Sequence, residues 1–70
     1  MVISGDKVRH NGAERVAVDV TPDGFVVMRD EADLDGLDLT AATVDEVEVV
    51  GHVEAVPGWV EDAPGEWRRA

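Results

Sequence analysis

The sequence contains no cysteine and no tyrosine, and only one phenylalanine and two tryptophans occur among its 70 residues. The absence of cysteine excludes disulfide bonds and thiolate metal sites. The longest apolar run, 25–28, has four residues, whereas a membrane-spanning helix needs about 18. No basic segment followed by a long apolar stretch opens the chain. We therefore expect a cytoplasmic protein, or a component of a particle that is assembled in the cytoplasm.

Basic residues are scarce as well: six Lys and Arg stand against sixteen Asp and Glu, so the formal net charge is −10. Such a surface repels polyanions, because Lys and Arg contacts supply most of the non-specific affinity for nucleic acids. The composition is similar to that of proteins from salt-loving organisms, in which surplus acids keep a chain soluble. We expect the partners to be other protein subunits or copies of the chain, rather than nucleic acid or a membrane.

Two triplets that end in Gly, residues 10–12 and 22–24, separate three Val-containing segments in the first half of the chain. Each triplet is typical of a three-residue hairpin loop whose Gly takes a left-handed conformation. This pattern predicts a β-meander in which Val18 lies opposite Met28 and both side chains are buried. The same buried face then carries four further residues, which are Val8, Val16, Val20 and Val26.

A two-residue turn at 11–12 is the alternative for the first hairpin. It would pair Arg9 with Glu14, which is a favourable ion pair. However, it places Val8 on the face opposite to Val16, and the three-residue loop is therefore the prediction.

The second half of the chain is less regular. Residues 30–43 form an acidic connection, and one or two helical turns are expected within 40–46, capped by a threonine. A final strand is expected from Val47, with a kink at Gly51 before 52–56.

Residues 57–70 repeat a short pattern in which Pro-Gly is followed by a Trp. The prolines are expected to prevent a regular strand, which predicts an irregular C-terminal tail. Because Trp is costly to leave in water, this tail should dock on a surface. Trp59 is expected to pack on its own domain. Trp67 is expected to dock on a neighbouring chain, together with Arg68 and Arg69.

The run Gly-Asp-Lys-Val-Arg-His-Asn-Gly at 5–12 and the Val-rich run 16–20 resemble the opening of small SH3-like barrels of the KOW and Tudor type. The later run 43–50 is similar to the short helical turn and last strand of that fold. The resemblance implies an all-β, SH3-like barrel of about five strands over 1–56, with 57–70 as a docking tail. Such barrels bind nucleic acids, peptides or other protein subunits, and they are rarely enzymes.

The predicted meander leaves a second face that carries two large apolar residues, and these need a covering segment or a partner. Together with the tail they define a candidate partner-binding surface: Phe25, Val27, Trp59, Trp67, Arg68 and Arg69. We therefore expect a non-catalytic protein–protein interaction module. It would be a small acidic structural or accessory subunit of a larger assembly, such as a virion or another particle.

The alternative is a nucleic-acid-associated regulatory module that uses the basic first hairpin through Lys7, Arg9 and Arg15. With sixteen carboxylates in the chain, these cations are expected instead to form ion pairs.

The sequence shows neither a catalytic constellation nor a cofactor motif, and we expect neither an enzyme nor a cofactor. One acidic run resembles the first half of a calcium loop: Glu31, Asp33 and Asp35. The position that should supply a bidentate Glu holds Ala42, so the prediction is a solvated loop without a specific metal. His10 and His52 lack metal-ligand spacing and are expected to be exposed or half-buried.

Overall fold

The computed structural model describes residues 1–34 and 38–70. Five antiparallel strands form one sheet: β1 Asp6–His10, β2 Ala13–Val20, β3 Phe25–Arg29, β4 Thr40–Thr43 and β5 Glu48–His52. Two further strands pair with each other as a C-terminal hairpin: β6 Trp59–Ala63 and β7 Glu66–Arg69. Short 3-10 turns occupy Glu31–Asp33 and Val44–Glu46. Within the described ranges, no helix is long and apolar enough to cross a membrane.

The five strands lie in the order β4-β3-β2-β1-β5, which confirms the expected all-β fold with a sheet of five strands. The sheet is open, and the prediction of a closed barrel is wrong. β4 and β5 form its two edges, and no strand pairing joins them in the described part of the chain. Closure requires tilted and staggered strands whose edges can meet, and β4, with four residues, offers little length for this.

The first hairpin uses the two-residue turn that the sequence argument set aside. His10 pairs with Ala13 and Arg9 with Glu14, so the loop consists of residues 11–12 alone. Asn11 has a φ of 50° and the following Gly a φ of 78°, the combination that a type I′ turn requires. This register does place Val8 and Val16 on opposite faces. Both are nevertheless buried, because each face of the sheet is covered at that point.

The second hairpin begins as predicted and then departs from the predicted register. Thr21 N–H donates to Phe25 O at 2.8 Å, and Val20 lies opposite Val26, as a three-residue loop requires. A β-bulge at Val18 then shifts the pairing, so that Met28 lies opposite the preceding alanine. The prediction of a buried Val18 opposite Met28 is wrong, and Val18 is 38% exposed. One extra residue in a strand reverses the alternation of its side chains.

The hydrophobic core lies on one face of the sheet and draws on four of its five strands. Its buried members are Val8, Ala17, Val26, Met28 and Ala42. Ala17 takes the place that the predicted register gave to Val18, and Val16 faces the other side of the sheet. The half-buried Val47 and Val2 pack against the edge of the core.

The connection to β5 contains a helical turn, but a shorter one than expected. Residues 40–43 form strand β4, and only 44–46 turn. Glu46 fixes the turn by accepting hydrogen bonds from Thr43 N–H at 3.1 Å and from the Thr43 hydroxyl at 2.9 Å. In β5 the pairing with β1 shifts beside Gly51, as the expected kink requires. The strand ends at His52 and does not continue over 53–56, where the prediction extended it.

The C-terminal segment is a β-hairpin with one shift of register between Glu61 and Ala63, and the prediction of an irregular tail is wrong. Both Pro-Gly pairs lie in turns, where the missing proline N–H leaves no gap in a ladder. At the first turn, Trp59 N–H donates to Val56 O at 3.0 Å, and Gly58 has a φ of 83°. At the second, Gly65 has a φ of 80° and joins β6 to β7. The repeated sequence pattern is therefore a repeated turn followed by a strand.

Candidate functional site

Trp67 of β7 packs on the five-stranded sheet near the start of β1. Its indole Nε1–H donates to Ser4 O at 2.9 Å, and its ring stacks on His52, with centroids 6.2 Å apart and planes inclined by 27°. The stack requires a glycine at position 5, because a Cβ built on Gly5 would lie 2.7 Å from the Trp67 ring. The second Pro-Gly turn folds β7 back and thereby brings Trp67 to its own domain.

A second contact between hairpin and sheet is formed by Asp6, His52 and Glu61, which we call the carboxylate–imidazole bridge. His52 Nδ1 lies 2.7 Å from Asp6 Oδ1, and Nε2 lies 2.8 Å from Glu61 Oε2. Asp6 is only 6% exposed, and its other oxygen accepts from Ile3 N–H at 2.9 Å. Glu61 also accepts from Gly65 N–H at 2.9 Å. The bridge therefore links β1, β5 and β6 through groups that are themselves held by the backbone.

The bridge shifts the titration of two of its members. The hydrogen bond to Asp6 raises the pKa of His52 most, and the bond to Glu61 raises it further. The pKa of Glu61 is lowered, chiefly by the N–H of Gly65 and then by His52. Both shifts favour the charged forms, as expected where opposite charges meet at hydrogen-bond distance.

A groove of about 550 Å³ lies between the hairpin and the second face of the sheet. Aliphatic, aromatic and basic side chains line it together with short backbone stretches: Ser4, Gly5, Val16, Ala17, Val18, Arg29, Leu34, Val56, Trp59, Gly65, Trp67 and Arg69. The lining includes both tryptophans of the chain and two of its five arginines. A concave apolar surface with a few converging polar groups is typical of a binding site.

In the described part of the chain, the two groove arginines have no carboxylate partner, unlike Lys7, Arg9 and Arg68. The Arg69 guanidinium lies over the Trp59 ring, 5.1 Å from its centroid. Arg29 donates from Nη1 to Leu34 O at 2.6 Å, and its buried Nε has no partner among residues 1–34 and 38–70. Over the same residues neither guanidinium forms a salt bridge, although the chain carries sixteen acids.

The cations of the predicted nucleic-acid surface lie mostly in intramolecular pairs. Lys7 pairs with Glu31 at 3.4 Å. Arg9 reaches Glu14 at 3.2 Å and Glu48 at 3.5 Å. Arg15 points its guanidinium at the backbone, 3.5 Å from a carbonyl of the same hairpin. The expectation that carboxylates would take up this cluster agrees with the geometry of Lys7 and Arg9.

The structure distributes the predicted partner-binding residues unevenly. Trp59 and Arg69 line the groove, whereas Arg68 points away and pairs with Asp62 at 2.8 Å. Phe25 is 46% exposed and Val27 half-buried on the face of β3 that also carries Arg29, but neither is part of the groove lining.

The two tryptophans are placed differently from the expectation that Trp59 packs on its own domain and that Trp67 docks on a neighbouring chain. Trp67 packs on its own sheet, whereas Trp59 is 38% exposed under the guanidinium of Arg69. The prediction assumed an extended tail in which Trp67 had the longer reach. A hairpin instead brings its second strand back.

The candidate metal ligands do not converge on a common point in the described part of the chain. Glu31 is paired with Lys7, while Asp35 and the side chain of Asp33 lie outside the described residues. No three His, Asp or Glu side chains that could hold one metal ion occur within the described ranges; in the bridge, Asp6 and Glu61 contact opposite nitrogens of His52. The Ser4 hydroxyl is directed at a backbone carbonyl, and both nitrogens of His52 face carboxylates.

Sequence reasoning missed the bridge and the role of Arg29. Asp6 and His52 are separated by 46 residues, and they meet only because β5 pairs with β1. The position of Arg29 could be read from the alternation of side chains along β3, because Arg29 lies two residues after Val27 and therefore belongs to the second face.

Comparison with protein-family models, with curated proteins and with solved structures finds no match for this chain. The class is therefore defined by the fold and the site alone: a small all-β domain with an aromatic and basic groove.

Proposed function

We propose that this protein is a non-catalytic protein–protein interaction module whose groove binds an acidic and apolar segment of a partner protein. In this view it is a small acidic accessory subunit of a larger assembly. The observation that carries the proposal is the pair of guanidinium groups at Arg29 and Arg69, which face a groove with two indoles in a chain of net charge −10.

The groove and such a segment are chemically complementary. A guanidinium binds a carboxylate through charge-assisted, often bidentate hydrogen bonds, each worth about 1.5–3 kcal/mol. The indole of Trp59, already under the guanidinium of Arg69, offers an apolar surface for an aliphatic or aromatic neighbour of that carboxylate. The volume of about 550 Å³ suits a few side chains.

A protein partner is favoured over a nucleic acid by the distribution of charge. Aromatic rings beside arginines can also stack on unpaired bases. A phosphate backbone, however, would be repelled by the sixteen carboxylates of the chain. The cations that could offset this repulsion, Lys7 and Arg9, are paired within the protein. A single carboxylate-bearing side chain carries one negative charge and therefore meets much less of that repulsion than a run of phosphates.

We infer further that the sheet is SH3-like, as the resemblance of 5–12 and 43–50 implies. The placement of β1 between β2 and β5, and the 3-10 turn immediately before β5, support this classification. The proposal keeps the division into a sheet domain at 1–56 and a docking segment at 57–70, with the C-terminal hairpin as one wall of the groove.

The proposal can be tested by selecting short random peptides on the immobilised full chain. The affinity of the enriched peptides is then measured by fluorescence polarisation. We expect enrichment of sequences in which Asp or Glu adjoins an apolar residue. Arg69→Gln should weaken their binding about tenfold or more, which corresponds to one charge-assisted hydrogen bond. Arg68→Gln is the matched control, because Arg68 is paired with Asp62 outside the groove, and it should leave affinity unchanged.

Two outcomes would contradict the proposal. Enriched peptides that bind Arg69→Gln as well as they bind the wild type would remove the groove from consideration. Tight binding of single-stranded oligothymidylate, lost on Arg69→Gln, would instead assign the groove to nucleic acid.

A further inference from the structure

The C-terminal hairpin is attached to the sheet almost entirely through side chains. No strand of the hairpin pairs with the five-stranded sheet in the described part of the chain. The contacts include the bridge of Asp6, His52 and Glu61, the stacked and hydrogen-bonded Trp67, and the close approach of Gly65 to Ile3. We propose that a proton on His52 fastens the hairpin to the sheet, and that its loss releases the hairpin. The inference concerns the ligand-free protein and does not rest on the proposed function.

The geometry of the bridge requires a doubly protonated ring. Asp6 and Glu61 act as acceptors, since each also accepts a backbone N–H. A neutral imidazole has one N–H donor and one lone pair, whereas an imidazolium has two donors. With oxygens at 2.7 and 2.8 Å from the two nitrogens of His52, only the imidazolium satisfies both contacts. In the neutral ring, one lone pair would face a carboxylate.

The proton is lost preferentially at the hairpin side. Asp6 and His52 both belong to the sheet and stay neighbours when the hairpin leaves, because their strands are paired. Glu61 belongs to β6 and departs with the hairpin. A neutral ring that donates Nδ1–H to the buried Asp6 therefore presents its Nε2 lone pair to Glu61, and that contact becomes repulsive.

The charged groups around the ring are few. β1 faces it with Asp6, β6 faces it with Glu61, and β7 faces it with Trp67, which does not titrate in this range. Lys7, next to Asp6, is directed to Glu31. The titration of the contact therefore depends on His52, whose pKa is raised, and on Glu61, whose pKa is lowered.

The sign of the pH dependence follows from these partners. Asp6 raises the pKa of His52 most, and Glu61, which faces the ring only in the docked state, raises it further. The stabilisation of docking by this proton is therefore present at low pH and is lost as the pH rises through the docked value. The released state keeps Asp6 beside the ring but loses Glu61, so the pKa of His52 is lower in the released state than in the docked state. Between the two values, the docking equilibrium falls about tenfold for each pH unit. Glu61, whose pKa is lowered, removes the contact only in strong acid.

The release of the hairpin on loss of the His52 proton can be tested by NMR spectroscopy. The isotope-labelled full chain, without ligand, is followed from about pH 6 to about pH 9.5. The readouts are the His52 ring shifts and the nuclear Overhauser contacts between Trp67 and Gly5, which report docking. We expect His52 to titrate above 6.5 and the Trp67–Gly5 contacts to fade over the same pH range. Contacts that persist at full intensity to about pH 9.5, or a His52 midpoint at or below 6.5, would overturn the proposal.

Glu61→Gln separates a proton-dependent attachment from a merely structural one. The amide that this substitution introduces can donate to the lone pair of the neutral His52 ring, while its oxygen accepts from Gly65 N–H. This variant should therefore keep its hairpin docked at high pH, where the wild type releases it. Asp62→Asn removes the adjacent carboxylate, which pairs with Arg68, and should behave as the wild type. Loss of docking at the same pH in Glu61→Gln and the wild type would refute the mechanism.

Discussion

Gly5 is the position at which a single methyl group would separate the hairpin from the sheet. It has a φ of 96°, and a Cβ built there lies 2.7 Å from the Trp67 ring and 2.9 Å from Cε1 of His52. Neither ring can move aside freely, because Trp67 is hydrogen-bonded to Ser4 O and stacked on His52. We therefore predict that Gly5→Ala displaces the hairpin while the five-stranded sheet stays folded.

The expected loss of unfolding free energy in Gly5→Ala combines two separable contributions. A non-Gly residue at positive φ costs about 1–2 kcal/mol. Displacing the half-buried Trp67 adds about 2–3 kcal/mol, somewhat below the cost of deleting a fully buried Trp. Gly24 supplies the matched control: its φ is 90°, but nothing lies within 4 Å of a Cβ built there. Gly24→Ala should therefore show the first contribution alone.

Urea unfolding followed by tryptophan fluorescence and by far-ultraviolet circular dichroism measures both variants. Gly5→Ala should lower the free energy of unfolding by about 2–3 kcal/mol more than Gly24→Ala. Its fluorescence transition should also precede the dichroism transition, since both tryptophans belong to the hairpin. If Gly5→Ala and Gly24→Ala lower the free energy of unfolding by amounts that agree within about 0.5 kcal/mol, the claim that Trp67 blocks position 5 is refuted.

Two further predictions use the same protein. Trp67→Ala should lower the free energy of unfolding by about 3 kcal/mol. Trp59→Ala should lower it by only about 1 kcal/mol, because the Trp59 ring is 38% exposed. A larger loss for Trp59→Ala than for Trp67→Ala would contradict the assigned packing. Raising the ionic strength to about 1 M should raise the melting temperature, because screening weakens the self-repulsion of a chain with net charge −10; an unchanged melting temperature would show that this repulsion is minor.

Local patterns predicted those parts of the fold that depend on neighbouring residues. The loop at 22–24 follows from the preference of Pro and Gly for set backbone angles, and it has the expected register. The turn before β5 follows from a Thr and a Glu three residues apart, which form hydrogen bonds at the start of a helical turn. The all-β character follows from the alternation of Val with polar residues.

The two register errors share one assumption, namely that Val8, Val16 and Val18 all lie on the same buried face of the sheet. That assumption excluded the turn at 11–12, because it separates Val8 from Val16, yet the C-terminal hairpin covers part of the second face. The same assumption left no reason for a bulge at Val18. A strand pattern alone cannot report a bulge, since one extra residue leaves the composition unchanged while it reverses the faces.

The bridge and the groove are physically coupled through Trp67. Its ring stacks on His52 and also lines the groove. A ligand that packs on Trp67 therefore binds the docked hairpin better than the released one, if the proposed function holds. Linkage is reciprocal, so such a ligand must also raise the affinity of His52 for its proton. The ligand and the proton would thus stabilise the same arrangement of hairpin and sheet, although they bind at different atoms.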